Sequence, residues 1–370
     1  MKRIAVIFGG KSQEHDVSVI TGVLTLNSLD KTLFDAVPVY VGKDGVWRTG
    51  EGINKISAFT DGEPKGLKRV ALLPGDDNLY YCDGKLKKFF KPYCAIVCTH
   101  GKNGEDGTIA ALLKLCGIPF ASPDVLPAAL SMDKEATKLS VGALGIKTVE
   151  GFVVSRSEYY ESPLTVQSKT DKFGYPVVVK PSSSGSSIGV SVVKSEKQLK
   201  RAFDEAFRFD VKVVVERFLE GAYDINCAAY GDGKRIYVSE CEKPSGGEFL
   251  SFNDKYLGSK GGSKRVFPFN EDEKAVKEIK LATETIYERL GFSGIIRVDY
   301  LLKDGAVYMN EINSVPGSMA YYLFCEKLGD FTALLTKLIE RANAVWREYS
   351  NCETTFSSSV LKLDGVNIKK

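Results

Sequence analysis

Four polar residues near the C-terminal end of the sequence have types and a spacing suited to phosphate and metal chemistry. Arg297 and Asp299 lie in one run of β-branched and aromatic residues, and Glu311 and Asn313 lie in a second run. Asp304-Gly305 separates the runs and is typical of the tight turn of a β-hairpin. Alternate residues of a strand share a face, so the two members of each pair should point the same way.

This hairpin would bring two carboxylates and an amide together on one face. Such oxygen ligands suit Mg²⁺, which proteins hold with one or two carboxylates plus phosphate oxygens. Met309 would share the face of Glu311 and Asn313, and Arg297 would add a planar fork of donors for an anion. A hairpin whose charges face water is the alternative, and it is the usual explanation for a single charge. Four polar groups in register favour a site.

Two glycine-rich loops follow apolar runs in the N-terminal third of the chain. Residues 2–8 end at Gly9-Gly10 and lead into a helical pattern, and residues 95–99 lead through His100-Gly-Lys-Asn-Gly-Glu-Asp-Gly107 into another. A strand, a glycine turn and a helix are typical of an α/β domain. Ligands of open α/β sheets bind at the carboxyl ends of the strands.

Both histidines of the sequence, His15 and His100, follow such strand ends. Each lies close to a glutamate, Glu14 or Glu105. A ligand-binding role and a purely structural hydrogen-bonding role are equal alternatives for each histidine at this point.

A Ser/Gly-rich loop, Pro181 to Gly189, joins two further predicted strands. Small residues let backbone N–H groups approach phosphate oxygens, and serine hydroxyls donate as well. Ser/Gly runs are commonly just flexible connections. Lys180 at the end of the first strand favours phosphate binding, because a phosphate site needs a nearby cation.

The remaining patterns predict ordinary α/β elements. Residues 44–90 are interpreted as α/β elements with a polar excursion, and residues 125–144 as one helix that contains Asp133 and Lys134. Asn270 and Glu273 resemble a capping box at the start of a helix that Gly291 ends, and a last helix is expected near 330–348.

The stretch from Pro244 to Arg265 contains five glycines and three lysines. A structureless segment of this length within a compact domain is usually an active-site lid or is disordered.

The composition excludes several classes of protein. A chain of 370 residues, 44% hydrophobic and 26% charged, is typical of two or three globular domains. A net charge of +3 does not indicate nucleic acid or an anionic membrane as partner. No apolar run approaches the ~20 residues of a membrane span, and residues 4–8 are too short for a signal-peptide core, so we expect a cytoplasmic protein. Eight cysteines without a C-x-x-C pair argue against a disulfide framework, and two histidines against a multi-histidine zinc site.

Taken together, the motifs resemble the D-alanine–D-alanine ligase family of ATP-grasp enzymes from about residue 3 to about residue 345. Seven segments in the same order carry the resemblance: Phe8-Gly-Gly-Lys-Ser-Gln-Glu-His-Asp-Val-Ser18, His100 to Gly107, Met132-Asp-Lys134, Val179 to Gly189, Lys255-Tyr256, Arg297-Val-Asp299 and Asn310-Glu-Ile-Asn-Ser-Val-Pro-Gly317.

The resemblance implies an α/β protein, α+β in its C-terminal part, with a three-domain ATP-grasp architecture and an N-terminal open parallel sheet. The implied units are an N-terminal substrate domain over 1–125, a central ATP-grasp subdomain over 126–217, and a C-terminal subdomain over 218–349 that carries a lid at 244–265. Residues 350–370 form a tail. ATP would be gripped between the last two subdomains.

The resemblance also implies which residues act. The nucleotide would be bound by Lys134, Lys180, Ser187, Glu216, Phe218, Leu219, Asp224, Lys255 and Asn310. Asp299, Glu311 and Asn313 would hold two Mg²⁺ ions, with Mn²⁺ as a substitute. The first D-alanine would be held by Glu14, helped by Ser186 and Tyr256, and an oxyanion by Arg297 and the backbone N–H of Gly317. His100 and Ser318 would also contact substrate.

The implied reaction is the ATP-dependent joining of two D-alanines through an acyl phosphate, for peptidoglycan precursors. Its partners would be small molecules, with neither nucleic acid nor membrane, and the family allows a homodimer. The sequence departs from the family where a serine usually meets the second substrate, because Tyr322 occupies that place. A D-alanyl-D-serine or other D-Ala-D-X ligase is therefore one alternative, and a nucleotide-binding protein without catalysis is the other.

Overall fold

The computed structural model describes residues 1–244 and 265–358. Its N-terminal part is built on a seven-stranded sheet with the strand order β6-β5-β4-β3-β2-β1-β7. These strands are β1 (Lys2–Gly9), β2 (Phe34–Val41), β3 (Trp47–Thr49), β4 (Lys68–Leu73), β5 (Asp76–Tyr81), β6 (Lys87–Phe90) and β7 (Cys94–Val97). β2, β1 and β7 are parallel, and the apolar run of β1 is buried between them as its composition predicts.

Residues 44–90 differ from the expectation of α/β elements. They contain the antiparallel strands β3 to β6 and a short 3₁₀ turn, Ile56–Ala58, but no α-helix. The reason lies in the glycines with positive φ, which turn the chain at intervals shorter than an ordinary helix: Gly45, Gly52, Gly62, Gly66, Gly75 and Gly84.

Four helices lie between or after the strands of the first sheet in the chain: α1 (His15–Ser28), α2 (Thr108–Leu115), α3 (Val125–Met132) and α4 (Lys134–Ala143). The single helix predicted over 125–144 is wrong. Asp133 separates α3 from α4 with an extended backbone, and its side chain accepts a hydrogen bond from the Ala136 backbone N–H as an N-cap. An aspartate at this position satisfies a free N–H of the first turn, so a new helix begins at Lys134.

A second, antiparallel sheet has the strand order β10-β9-β11-β8. Its strands are β8 (Gly151–Ser155), β9 (Val177–Pro181), β10 (Ser191–Val193) and β11 (Lys212–Arg217), and its helices are α5 (Arg156–Glu161), α6 (Pro163–Phe173) and α7 (Glu196–Ala206). Alternate valines of β9 and β11 pack against Phe203 of α7 in one core. The serine loop predicted to join two strands joins β9 to β10.

The third sheet is antiparallel and has the strand order β13-β12-β14-β15. Its strands are β12 (Tyr223–Gly231), β13 (Ile236–Val238), β14 (Ile295–Lys303) and β15 (Ala306–Asn313); α8 (Glu273–Arg289) covers it, and α9 (Leu328–Ser350) packs against α1 and β7. The β14–β15 turn lies at Asp304-Gly305, as predicted. The predicted capping box of Asn270 and Glu273 does not form. Asp272 is the N-cap of α8 instead, and its side chain accepts a hydrogen bond from the Ala275 N–H.

Among the residues that the structure describes, none of the helices combines the length and the hydrophobicity needed to cross a membrane.

Candidate active site

A cleft lies between the second and third sheets. Its non-atom space is about 810 Å³ when the solvent at its mouth is included. Eight of the nine residues predicted to bind nucleotide line it: Lys134, Lys180, Ser187, Glu216, Phe218, Leu219, Asp224 and Asn310. The ninth, Lys255, lies outside the described residues. The fold thus collects side chains from α4, β9, β11, β12 and β15 at one place.

Two lysine ammonium groups converge on this cleft from different elements. Lys134 at the start of α4 donates to the Ser184 carbonyl at 2.6 Å and lies 3.8 Å from the Glu311 carboxylate. Lys180 at the end of β9 donates to Asn310 Oδ1 at 3.2 Å. Burial lowers the pKa of Lys134, which the nearby Glu311 partly offsets. Both side chains are buried, so a phosphate that reached them would meet little competing water.

Glu216 balances the charge of this cluster. Its carboxylate lies 2.7 Å from Lys180 Nζ and 2.8 Å from Lys138 Nζ. Burial alone would raise the pKa of Glu216, but the two ammonium groups outweigh it and hold the pKa below its usual value. Glu216 is therefore an anion under physiological conditions, and it keeps both lysines in place.

The β14–β15 hairpin carries the predicted metal face. Asp299 pairs with Glu311 across the two strands, and Arg297 pairs with Asn313. Arg297 donates to both carboxylate oxygens of Asp299, at 2.6 and 2.7 Å, and Asn313 Nδ2 donates to Asp299 at 3.1 Å. The four polar groups thus meet as their spacing predicts.

Met309 is wrongly predicted to share this face. The pairing shifts by one residue at Asp299/Tyr300, because the bulge at Asn310 places an extra residue in β15. Met309 therefore faces the opposite way and is fully buried in the core of the third sheet. The same bulge brings Asn310 and Glu311 to the cleft together.

The donor set of this face fits a hard cation. Asp299 and Glu311 offer carboxylate oxygens and Asn313 an amide oxygen, and Mg²⁺ prefers such ligands. Within residues 1–244 and 265–358, no three His, Cys, Asp or Glu side chains form a metal-binding group by themselves. A metal ion here would therefore need oxygen atoms from a bound ligand to complete its shell.

A second polar site lies where the N-terminal loop meets the serine loop. Ser186 donates a hydrogen bond to the buried Glu14 carboxylate. A Cβ added at Gly185 would lie 2.6 Å from Glu14 Oε2, so a side chain at this position would displace the Glu14 carboxylate. Ser186 and Ser187 both adopt the left-handed backbone region, which turns the loop toward Glu14. A buried carboxylate of this kind suits an ammonium group.

His100 belongs to a chain of hydrogen bonds that reaches the segment after the hairpin. Its Nε2 is 2.9 Å from Thr21 Oγ1, which accepts the backbone N–H of Ser318 at 2.9 Å. Burial, followed by the charge of Arg297, lowers the pKa of His100 to about 4. Burial, together with the charge of Glu14, raises the pKa of Glu105, whose carboxyl is 3.9 Å from His100 Nδ1. The His100 side chain is therefore uncharged near neutral pH.

The segment after the hairpin, Gly317–Leu323, is a 3₁₀ turn with an unusual backbone. Ser318, Met319 and Ala320 all have positive φ, between 45° and 54°. This left-handed stretch directs the chain back toward β14, where Tyr322 accepts a hydrogen bond from Arg297 at 3.1 Å. Three predicted features lie outside the described residues. These are the site residues Lys255 and Tyr256, the lid between its ends at 244 and 265, and the tail from residue 359 onward.

Comparison with known proteins places this geometry in a family. The family model for the N-terminus of D-Ala-D-Ala ligases matches residues 3–123, and the model for their C-terminus matches residues 141–340. The chain belongs to the D-alanine–D-alanine ligase family. The α/β ATP-grasp fold expected from the sequence is thereby confirmed, while the domain boundaries stay a prediction.

Individual family members match over nearly their whole length. The D-alanine–D-alanine ligase of Acetivibrio thermocellus is 35% identical over 365 residues, 92% of this chain and 96% of that protein. The ligase of Thermosipho melanesiensis is 33% identical over 346 residues, 92% of this chain and 93% of that protein.

Two solved structures of the family are also similar. The D-Ala-D-Ala ligase from Helicobacter pylori has a TM-score of 0.74 at 28% identity and covers 92% of this chain and 98% of its own. The VanG D-Ala:D-Ser ligase from Enterococcus faecalis has a TM-score of 0.73 at 27% identity and covers 93% and 99%.

Two members of this ligase site were missed by the sequence reasoning. Lys138 lies one helical turn after Lys134, and that i,i+4 spacing on a polar helix face was the available signal. Thr21 gave no signal, because a threonine inside an apolar helical pattern is typical of ordinary packing.

Proposed function

We propose that this chain is an ATP-dependent ligase that joins two D-alanines into D-alanyl-D-alanine for peptidoglycan precursors. The observation that carries the proposal is the convergence of the Lys134 and Lys180 ammonium groups with Glu311 in the cleft, where Asp299 pairs with Glu311 across the hairpin. Two cations beside two carboxylates can hold a triphosphate together with its divalent metal.

The nucleotide would enter with its base toward Phe218 and Leu219, which line the apolar side of the cleft. Glu216 would accept from the adenine, and Asp224 from the ribose. Lys134, Lys180, Asn310 and the serine loop at Ser187 would contact the phosphates. The lysines supply positive charge in a buried site, where its effect on phosphate is stronger than in water.

Asp299, Glu311 and Asn313 would hold two Mg²⁺ ions, for which Mn²⁺ can substitute. When bound, the ions would neutralise the charge of the transferring phosphoryl group. Arg297, which Asp299 fixes through two hydrogen bonds, would add its positive charge without reorganisation.

The first D-alanine would bind with its ammonium group against Glu14, oriented by Ser186 and, from outside the described residues, by Tyr256. Its carboxylate attacks the γ-phosphorus of ATP, so that ADP leaves and an acyl phosphate forms. The neutral amine of the second amino acid then attacks the acyl carbon. Arg297 and the Gly317 N–H would stabilise the oxyanion, His100 and Ser318 would line the substrates, and phosphate leaves as the peptide bond forms.

The same proposal covers organisation and location. The chain would consist of units 1–125, 126–217 and 218–349, with a lid at 244–265 that excludes water from the acyl phosphate. We propose that the enzyme acts in the cytoplasm, where ATP is available, and that it forms a homodimer.

A D-alanyl-D-serine ligase is a second candidate, which the similarity to the VanG D-Ala:D-Ser ligase and the presence of Tyr322 favour. A non-catalytic nucleotide-binding protein is disfavoured, because Arg297, Asp299, Glu311 and Asn313 are all in place around one point.

Product analysis tests the proposal. Purified protein with ATP and Mg²⁺ should release ADP and phosphate in proportion to dipeptide when D-alanine is added. L-Alanine should give no product, as the matched control. Mixtures of D-alanine with D-serine or D-lactate, resolved by mass spectrometry, decide the second substrate, and we expect D-alanine over D-lactate. ATP hydrolysis that no D-amino acid changes would contradict the proposal.

A further inference from the structure

Two buried cysteines lie directly opposite each other in the third sheet. Asn226 of β12 and Glu242 form an isolated antiparallel bridge, in which each backbone N–H donates to the other residue's carbonyl, at 2.7 and 2.9 Å. The adjoining residues, Cys227 and Cys241, are therefore cross-strand neighbours of the non-hydrogen-bonded type. The Cα atoms of such neighbours lie about 4.5 Å apart, within the range of roughly 4.4–6.8 Å that a disulfide spans.

The two thiols meet on the same face of the sheet. Cys227 and Cys241 both belong to the core that α8 covers, and both are fully buried. A hydrogen bond between the two thiols lowers the pKa of Cys227 and raises the pKa of Cys241. Ser239 Oγ lies 3.8 Å from Cys227 Sγ and supplies a second donor there. Cys227 is therefore the better nucleophile of the two, because hydrogen-bond donors stabilise a thiolate.

We propose that Cys227 and Cys241 form a redox modification site, which hydrogen peroxide converts reversibly into a disulfide between β12 and the segment 239–243. The inference is independent of the ligase reaction, because neither cysteine belongs to the nucleotide or substrate sites described above. Disulfides of proteins in a reducing compartment are usually transient and redox-sensing. A pair of facing thiols suits that role, since the second thiol resolves the oxidised form of the first.

The oxidation takes place in two balanced steps. The Cys227 sulfur attacks one oxygen of the peroxide, the O–O bond breaks, and the hydroxide that leaves takes up the thiol proton as water. The Cys241 sulfur then attacks the sulfur of the Cys227 sulfenic acid, the S–O bond breaks, and the second hydroxide leaves with the Cys241 proton. Two thiols are thus oxidised to one disulfide, while one peroxide is reduced to two waters.

Burial limits which oxidants can reach the pair. Since both thiols are buried, the short segment 239–243 must open locally before an oxidant enters, and a molecule as small as hydrogen peroxide needs only a slight opening. The disulfide then closes the loop between Cys227 and Cys241, so oxidation should stabilise the third sheet against unfolding. It also ties down Glu242, which follows Cys241 and pairs with Arg265.

Peptide mapping tests the site in the full-length native protein. The protein is treated with hydrogen peroxide, remaining thiols are blocked with iodoacetamide, and trypsin digests the product. Lys234 and Arg235 lie between the two cysteines, so a Cys227–Cys241 disulfide joins two separate peptides that dithiothreitol releases. We expect these linked peptides, together with a rise of roughly 0.5–1 M in the urea midpoint of unfolding that dithiothreitol abolishes.

Cys241→Ser removes the resolving thiol and nearly keeps the size of the side chain. The Cys227 peptide should then gain oxygen atoms as a sulfenic or sulfinic acid instead of the link, and peroxide should no longer raise the unfolding midpoint. Cys352→Ser is the matched control, because Cys352 is exposed beyond the end of α9. This variant should form the linked peptides as the wild type does.

Three results would overturn the inference, and none of them needs a variant. In the first, wild-type protein yields no linked peptides although Cys352 is oxidised in the same sample. In the second, the link forms only after the protein is unfolded in urea, which would show that the native sheet does not bring the two sulfurs into bonding position. In the third, Cys227 links to other cysteines as often as to Cys241.

Discussion

Lys180 and Glu216 form a buried ion pair, 2.7 Å between Nζ and Oε2, at the centre of the cleft. The same carboxylate also holds Lys138. One anion thus compensates two cations that come from β9 and α4, and the arrangement ties the two elements together. The charged groups predicted to bind the nucleotide therefore also stabilise the packing of β9, β11 and α4.

Glu216→Gln should destabilise the fold. The substitution leaves two buried ammonium groups without their counterion, and breaking a buried pair in this way typically costs about 3–5 kcal/mol. Chemical denaturation followed by circular dichroism measures the change. Glu150→Gln is the control, because Glu150 is exposed and pairs with Arg217 on the surface; its effect should stay within about 0.5 kcal/mol. Equal stability of the two variants would contradict the shared role.

Lys180→Ala should raise the KM for ATP roughly tenfold or more, because a buried cation near the phosphates is lost. ADP release at a series of ATP concentrations measures it. Lys200→Ala, which removes an exposed lysine paired with Asp204, should leave the KM unchanged. An unchanged KM and kcat in Lys180→Ala would show that phosphates bind elsewhere.

Asp299→Asn should reduce turnover at least ~10²-fold, a typical loss when one electrostatic stabiliser is removed. The amide also fails to balance Arg297, which now donates to both carboxylate oxygens. A Mg²⁺ titration checks the origin of the loss, since the variant should need more Mg²⁺ for half-maximal activity. Near-normal turnover at ordinary Mg²⁺ would exclude Asp299 as a ligand.

The sequence predicts those parts of the site that depend on local periodicity. The faces of Arg297, Asp299, Glu311 and Asn313 follow from the two-residue period of strands, and the turn follows from Asp304-Gly305. The face of Met309 cannot be predicted in this way, because a β-bulge shifts the two-residue period. Packing in the third sheet, not the local sequence pattern, determines where that bulge lies.

The sequence-based prediction of helix boundaries was wrong for a related reason. Asp133 lies within a continuous helical pattern, and only its side-chain cap on Ala136 reveals the break before Lys134. Contacts between distant segments do not follow from local periodicity, and those predicted here came from the family resemblance alone. Lys138 of α4 meets Glu216 of β11. Tyr322 meets Arg297 after three consecutive residues in left-handed conformations, which chain sterics normally disfavour.

His100 should make the fold sensitive to acid. Its pKa is about 4 in the folded state and about 6.5 when unfolded, so the unfolded chain binds more protons between these values. Stability should therefore fall as the pH drops through this window, by up to ~3 kcal/mol from this residue. Glu105 opposes the trend, because its pKa is raised in the fold.

A comparison of variants isolates the histidine. His100→Gln cannot be protonated, so its unfolding free energy should decline less between pH 7 and pH 4.5 than that of the wild type, while Glu105 is present in both. Denaturant titrations at a series of pH values measure this difference. Identical pH dependence in the two proteins would show that His100 is not buried in its neutral form.

Thr21 connects His100 to the turn that carries the proposed oxyanion donor. Its hydroxyl lies 2.9 Å from His100 Nε2 and accepts the Ser318 N–H at 2.9 Å, one residue after Gly317. Thr21→Val keeps the shape of this fully buried side chain but leaves the Ser318 N–H without that partner. Loss of the partner of this partly buried donor costs at most about 1–3 kcal/mol, which the turn can avoid by moving.

A displaced turn would misplace the Gly317 N–H relative to the oxyanion. We therefore expect Thr21→Val to lower kcat on the order of tenfold, a moderate loss for a donor that is shifted but still present. The KM for ATP should change less than about twofold, since the nucleotide contacts are elsewhere. Thr21→Ser retains the hydroxyl and should recover most of the rate. Full turnover in Thr21→Val, or an equal loss in both variants, would remove Thr21 from the positioning of Gly317.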